Sequence, residues 1–192
     1  MRVRYNHWVK KSIITISGSL GSGKSSTAKG VAAALGYRHF SSGDLFRKIA
    51  KERGLSIEAI NLTAEQQTEI DYKVDELLQK MGREEDKLVI DSRLAWHWMS
   101  DSFKVFLTLD TATAAERIFM HIQEQGRVSE NASSADEVKR SIESRAASER
   151  KRYYNLYQLD PTDPAHFDLV IDTKENDLKT VTAMVLDAYQ KR

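Results

Sequence analysis

The run Gly18, Ser19, Leu20, Gly21, Ser22, Gly23, Lys24, Ser25 has the spacing G-x-x-x-x-G-K-[ST], which suits the chain to hold a polyphosphate. Glycines at 18, 21 and 23 let the backbone curl its N–H groups around an oxyanion, at angles and approach distances that a Cβ would block. Lys24 can then bring positive charge to the β- and γ-phosphates, and Ser25 a hydroxyl to Mg²⁺. A helix starting near Gly23 would add its dipole and its free N–H groups to the same anion. The chemistry this octapeptide implies is the binding of a nucleoside triphosphate.

Three further groups of residues could act beside it. Ser42, Gly43, Asp44 and Arg47 can present backbone N–H groups and a guanidinium to a second phosphate, or serve as a helix cap followed by a surface arginine. Arg93 follows an apolar run by two residues, where its planar fork can bind a phosphate bidentately. Asp91, ending that run, stands either as a carboxylate for Mg²⁺ or as a strand-end cap. Farther on, Val138, Ile142, Arg145, Glu149, Arg152 and Leu156 follow one another at steps of three or four and share one helical stripe. Charges that continue an apolar face need partners, either one another or a polyphosphate. Together with Arg127 in the Gly- and Ser-containing segment from Gln123 to Ala135, this stripe predicts a lid carrying cations over a transferring phosphoryl group.

These residues need a frame of alternating strands and helices. Ser12 to Ile16, Arg38 to Phe40, Lys87 to Asp91, Phe103 to Asp110 and Asp168 to Asp172 read as strands. Between them, apolar residues recur with helical period after the glycine-rich loop, over Leu45 to Arg53, from Ile70 to a stop near Gly82, over Ala115 to Ile122, over Ser134 to Tyr157, and over Leu178 to Tyr189. Five strands separated mostly by helices predict a parallel sheet covered on both faces, a doubly wound three-layer α/β/α domain. Ligands in such sheets bind beyond the carboxyl ends of the strands, where the residues singled out above all fall. Trp96, His97 and Trp98 are expected to pack, with His97 structural.

At 192 residues, 41% hydrophobic, the chain can bury one core, and a single domain is expected. The net charge of +1 predicts no dominant attraction to nucleic acid or to an anionic membrane. No cysteine is present, which excludes disulfides and thiolate metal sites and is compatible with the reducing cytoplasm, the expected location. No segment is long and apolar enough for a membrane span, and the basic stretch 1–11 reads as a tail without the apolar core of a signal peptide.

The ordered set resembles the nucleoside monophosphate kinases, and most closely the cytidylate kinase-like family with its short archaeal-type members. The resemblance runs from about Ser12 to about Thr173 and rests on four motifs. They are Gly18 to Ser25, Ser42-Gly43-Asp44-Leu45-Phe46-Arg47, Asp91-Ser92-Arg93-Leu94-Ala95-Trp96 and Arg145-Ala146-Ala147-Ser148-Glu149-Arg150-Lys151-Arg152-Tyr153. It implies a P-loop kinase fold with a core at 12–40, 87–122 and 160–192, a helical acceptor lobe at 41–86 and a helical lid at 123–158. It implies ATP with Mg²⁺ on Gly18 to Ser26, with Ser25 and Asp91 toward the metal. A nucleoside monophosphate, CMP or dCMP, would sit on Ser42, Gly43, Asp44, Arg47, Arg93 and Glu149. Lys24, Arg127, Arg145 and Arg152 would stabilise the transferred group, in a monomer. Larger bacterial members carry Gly-Arg-Asp where this chain reads Ser92-Arg93-Leu94. The alternatives are a P-loop kinase with a non-nucleotide acceptor, such as a sugar or a shikimate-like acid, and a non-catalytic nucleotide-binding module.

Overall fold

The strand Ile13–Gly18 (β1) is buried at every position, as a strand covered on both faces must be. In the computed structural model, which describes residues 12–125 and 132–192, it lies at the centre of a five-stranded sheet. The other strands are Arg38–Ser41 (β2), Leu88–Asp91 (β3), Phe103–Thr108 (β4) and Leu169–Asp172 (β5). Their order is β2-β3-β1-β4-β5, and every pairing is parallel, with Ile14 opposite Val89 on one side and Phe103 on the other. The chain leaves β1 for one edge, returns to β3 beside it, and then continues on the far side. The loops after β1 and β3 therefore open a crevice at their carboxyl ends.

Helices cover both faces, as the period-two alternation of the strands requires. Ile14 and Ile16 point toward Lys24–Leu35 (α1) and Leu178–Gln190 (α8), where Ala28, Val31, Val181 and Val185 close one core. Ile13, Leu88 and Ile90 face the other way, toward Leu78 and Met81 of Glu69–Glu84 (α4) and Met99 beyond the short helix Ala95–Trp98 (α5). A third cluster joins Leu109 and Ala114 of Thr111–Gln125 (α6) to Val138 and Ile142 of Ala135–Tyr157 (α7). Ser42–Glu52 (α2), Ile57–Gln66 (α3) and the start of α4 form a lobe with its own core of Ala50, Ile60, Ala64 and Ile70.

The expected parallel α/β/α arrangement is present, and the departures are local. Helix α2 begins at Ser42, three residues before the expected Leu45, because the Ser41 hydroxyl ends β2 and accepts from the Asp44 amide at 3.2 Å. Helix α4 runs through Gly82 to Glu84, where the sequence suggests a stop. Gly82 is not a terminator here; its missing Cβ makes room for Met99, whose Cγ would stand 3.0 Å from one. Helix α3 was not anticipated; Ser56 caps it by accepting from the Ala59 amide at 3.1 Å. The tail 1–11 and residues 126–131 of the segment from Gln123 to Ala135 lie outside the described residues. Among the described residues, no helix is long and apolar enough to cross a membrane.

Candidate active site

The loop between β1 and α1 takes the shape its glycines allow. Gly23, the residue before α1, has φ +80°, a left-handed conformation that a side chain would strain. Gly18 approaches β4 so closely that a Cβ would collide with the Leu107 carbonyl, while the Ser19 amide donates to that carbonyl at 2.9 Å. Ser22 donates its hydroxyl to the Ser19 carbonyl at 2.8 Å, pinning the curl, and Leu20 packs outward against the α6–α7 cluster. Ser26 stands exposed on the first turn of α1.

Lys24 and Ser25 converge on the end of β3. The Lys24 Nζ lies 3.0 Å from Asp91 Oδ1, Ser25 donates to Asp91 Oδ2 in a short hydrogen bond, and Ser41 donates to the same oxygen at 3.1 Å. Asp91 is 1% exposed. Burial opposes its ionisation, but the Lys24 ammonium and the Ser25 hydroxyl overcome this and hold the carboxyl below its usual range. Burial, aided by the nearby Arg93 charge, moves Lys24 down. A hydroxyl and a carboxylate oxygen in contact are the hard donors Mg²⁺ prefers. Among the described residues no group of three acidic or histidine side chains is placed to hold a metal ion. The donor set thus fits a magnesium ion held by one or two protein oxygens and otherwise by phosphates, and not an all-protein cage.

Beside this stands a second group built on Arg93. Its Nε donates to Glu149 Oε2 at 2.7 Å, and its Nη1 donates to the Gly18 carbonyl. Arg145, one turn before Glu149 on α7, donates to the other carboxylate oxygen at 2.9 Å. Burial works to raise the Glu149 carboxyl, yet the two guanidiniums hold it at about 2. Arg93 and Glu149 border two cavities at once, one of about 210 Å³ against Gly18, Ser19 and Leu20 and one against the α2–α4 lobe. The pair is a partition between the loop side and the lobe side.

On the lobe side the cavity is lined by Ser42, Gly43, Phe46 and Arg47 of α2, among others. Ser42 donates to the Asp91 carbonyl at 3.4 Å. Asp44 and Arg47 form a short surface ion pair, with the guanidinium lying above Gly43. Arg152 is buried and turned to the lobe: its Nε stands 3.0 Å from Asp71 Oδ2, and its guanidinium sits 5.7 Å from the centroid of the Phe46 ring. Asp75, one turn beyond Asp71, accepts from Trp98 Nε1 at 2.9 Å and from the Tyr157 hydroxyl. Trp96 stacks on His166 at 4.4 Å and donates to the Arg93 carbonyl at 2.8 Å, while His97 packs edge-on between Trp96 and Trp98.

The sequence-derived residues Lys24, Ser25, Asp91, Arg93, Arg145 and Glu149 are thus brought together. Arg152 joins the same wall but with its head on Asp71, and Arg127 lies outside the described residues. Asp71, Asp75 and Tyr157 were not singled out from the sequence. Their one available signal is the i, i+4 spacing of two carboxylates beside the apolar stripe of α4.

Residues 13–175 match the cytidylate kinase-like family. The chain belongs to that family. Among its relatives, the cytidylate kinase of Haloarcula marismortui is 35% identical over 181 residues, covering 93% of this chain and 89% of that protein. The cytidylate kinase of Methanothrix thermoacetophila is 36% identical over 178 residues, covering 93% of this chain and 98% of its own length. The shikimate kinase from Bacteroides thetaiotaomicron aligns with a TM-score of 0.59 over 94% of this chain and 95% of its own, at 15% identity. That likeness concerns the fold alone. The family match places the kinase activity read from the sequence on firmer ground than the loop alone, and it does not favour a non-nucleotide acceptor.

Proposed function

We propose that this chain is an ATP-dependent nucleoside monophosphate kinase that phosphorylates CMP or dCMP, giving the diphosphate and ADP. The observation that carries the reading is Arg93, whose guanidinium joins the Gly18 carbonyl on the loop side to Glu149 on the lobe side. It marks a place where two phosphates can meet, one on each side of the partition.

On this reading the backbone amides of Gly18 to Ser25 and the first turn of α1, including Ser26, cradle the ATP phosphates. Ser25 and Asp91 would hold Mg²⁺, which supplies charge neutralisation on the β- and γ-phosphates when bound. Arg93 and Arg47, with Ser42, Gly43 and Asp44 around them, hold the monophosphate so that one of its oxygens lies in line with the γ-phosphorus. That oxygen forms the new P–O bond as the bond from γ-phosphorus to the β,γ-bridging oxygen breaks, and ADP leaves with the electron pair. Lys24 and Arg145 offset charge on the phosphoryl oxygens as it passes, and Arg127 is assigned the same task from the sequence. Glu149 holds Arg93 on one carboxylate oxygen and Arg145 on the other. A phosphate monoester is already largely ionised near neutral pH, so no general base is required.

The test is ADP release from ATP and Mg²⁺ in the presence of CMP, dCMP, UMP, AMP or GMP in turn. Strong stimulation by CMP and dCMP is expected. No stimulation by any of the five overturns the reading and leaves a nucleotide-binding module.

A further inference from the structure

Arg93 stands on a corner of the chain. Strand β3 ends at Asp91 and α5 begins at Ala95, so the residues between them belong to neither element, and their backbone polar groups need partners from elsewhere. The Ser92 amide still donates to the Ile16 carbonyl of β1 at 3.1 Å. The peptide plane that follows Arg93 is held at both ends by side chains. Its carbonyl accepts from the Trp96 indole Nε1 at 2.8 Å and from the Ser17 hydroxyl at 3.4 Å, while its amide, that of Leu94, donates to the Ser92 hydroxyl oxygen at 3.4 Å. The indole makes the shortest of these three bonds.

The indole is itself fixed. Trp96 is 4% exposed, its ring stacks on His166 at 4.4 Å with the planes 18° apart, and Phe167 meets it edge-on at 5.4 Å. His166 ends the 3₁₀ turn Pro164–His166, which leads into β5, and Phe167 rests in turn on Phe106 of β4 at 4.8 Å. A buried indole N–H takes a hydrogen-bond acceptor, and the acceptor here is the main chain of the residue whose guanidinium reaches the Gly18 carbonyl and Glu149. Holding that carbonyl fixes ψ at Arg93, one of the two soft dihedrals that orient the residue against the sheet. Trp96 borders neither of the two cavities that Arg93 and Glu149 divide.

We propose that Trp96 is a positioning residue for the acceptor phosphate: its indole N–H, seated by His166 and Phe167, sets the Arg93 main chain so that the guanidinium stands in the partition. The assignment rests on the monophosphate kinase reading above, in which Arg93 holds the monophosphate. Trp96 acts through Arg93 and not on substrate. It also makes the grip on the acceptor depend on the segment that enters β5, since His166 and Phe167 seat the ring. A tryptophan that served the core alone would affect both substrates alike, and its effect would not depend on Arg93.

The experiment measures the KM for CMP and for ATP in the wild type, Trp96→Phe, His97→Ala, Arg93→Ala and the double variant of Trp96→Phe with Arg93→Ala. Trp96→Phe keeps a ring for His166 to stack on and loses the N–H. It should raise the KM for CMP about three- to tenfold, the loss of one buried hydrogen bond, and change the KM for ATP by less than about twofold. In the Arg93→Ala background the same substitution should add less than about twofold, because nothing is left for it to position. His97→Ala, which removes an edge contact from Trp96 and leaves the indole bond in place, should keep the wild-type KM for CMP. Should Trp96→Phe not fold, the benzothiophene analogue of tryptophan at position 96, which exchanges only the N–H for sulfur, gives the same comparison. The inference is overturned, with the kinase reading intact, by an unchanged KM for CMP, by equal rises for CMP and ATP, by an equal rise in His97→Ala, or by a full rise that persists without Arg93. A wild type whose ADP release responds to no monophosphate removes the kinase reading, and this inference with it.

Discussion

Arg93 and Glu149 are 56 residues apart in sequence and 2.7 Å apart in space, and their ion pair fastens the end of β3 to the middle of α7. Each side chain reaches a further group, the Gly18 carbonyl for Arg93 and Arg145 for Glu149, so the pair stands at the centre of a chain of cations and acceptors. Removing the arginine by Arg93→Ala is expected to raise the KM for the monophosphate about tenfold or more, with a smaller rise for ATP. Steady-state titration of each substrate checks this. Equal rises in the two KM values would contradict the division into donor and acceptor sides.

Lys24→Ala should abolish turnover, by at least about 10²- to 10³-fold, because the ammonium, which rests on Asp91, is the cation proposed to reach the phosphates. The fold should persist, since Lys24 belongs to none of the apolar clusters. A circular dichroism spectrum like the wild type's, together with loss of ADP release, is the expected pair of results, and near-normal turnover would remove the P-loop assignment.

Ser25→Ala takes away one of the two oxygens suited to a metal while leaving Asp91 in place. The concentration of Mg²⁺ giving half-maximal rate should rise about tenfold, the equivalent of roughly one charge-assisted hydrogen bond. Chelation of divalent ions should stop turnover of the wild type reversibly. An unchanged Mg²⁺ requirement in the variant would place the metal elsewhere.

Acid stability should carry the imprint of Glu149. Its folded value of about 2 lies below the ordinary 4.5, so its contribution is full above about pH 4.5 and disappears as the pH falls toward 2. The size is about 3 kcal/mol on the scale of one pH unit per roughly 1.4 kcal/mol. Asp71 acts in the opposite direction. Burial raises it from 3.8 to about 6 despite Arg152, with Asp75 and Glu149 adding to the rise, so folding takes up a proton there between those values and gains stability as the pH drops from 6 toward 4. Denaturant midpoints of wild type and Glu149→Gln, measured from pH 7 to pH 2, should differ most above pH 4.5 and converge at the acid end.

Tyr157→Phe leaves Asp75 Oδ2 without its donor in a buried place, at a cost of about 1–3 kcal/mol. The loss should show in urea unfolding and not in the KM for ATP. A variant as stable as the wild type would mean that water replaces the hydroxyl.

The donor half of the site could be read along the chain because its residues are contiguous. A loop that must curl around an anion needs glycine at Gly18 and Gly23 whatever surrounds it, and Arg145 and Glu149 meet through helical spacing alone. The acceptor half could be read only in part: Ser42, Gly43, Asp44 and Arg47 are close along the chain, but the acids of α4 meet their partners from distant helices. Asp71 and Asp75 look like solvated acids beside Ile70 and Val74, and only the arrival of Arg152 and Tyr157, more than 80 positions later, buries and pairs them. Arg152 shows the same limit from the other side: its place in the stripe was legible, its partner was not. Helix α3 went unread although Ile60 and Ala64 are wholly buried, because a ten-residue segment with little periodicity takes its form from the lobe it completes.

Helix α7 runs unbroken for 23 residues, about 34 Å, with Val138 and Ile142 in the cluster that includes Leu20 near its start and Arg152 against Asp71 near its end. A single rod in touch with both proposed substrate sites offers a route by which their occupancies become thermodynamically linked. If one nucleotide favours a particular seating of the rod, the second finds part of its ordering entropy already spent, and the affinity gained by each from the other is the same factor in both directions.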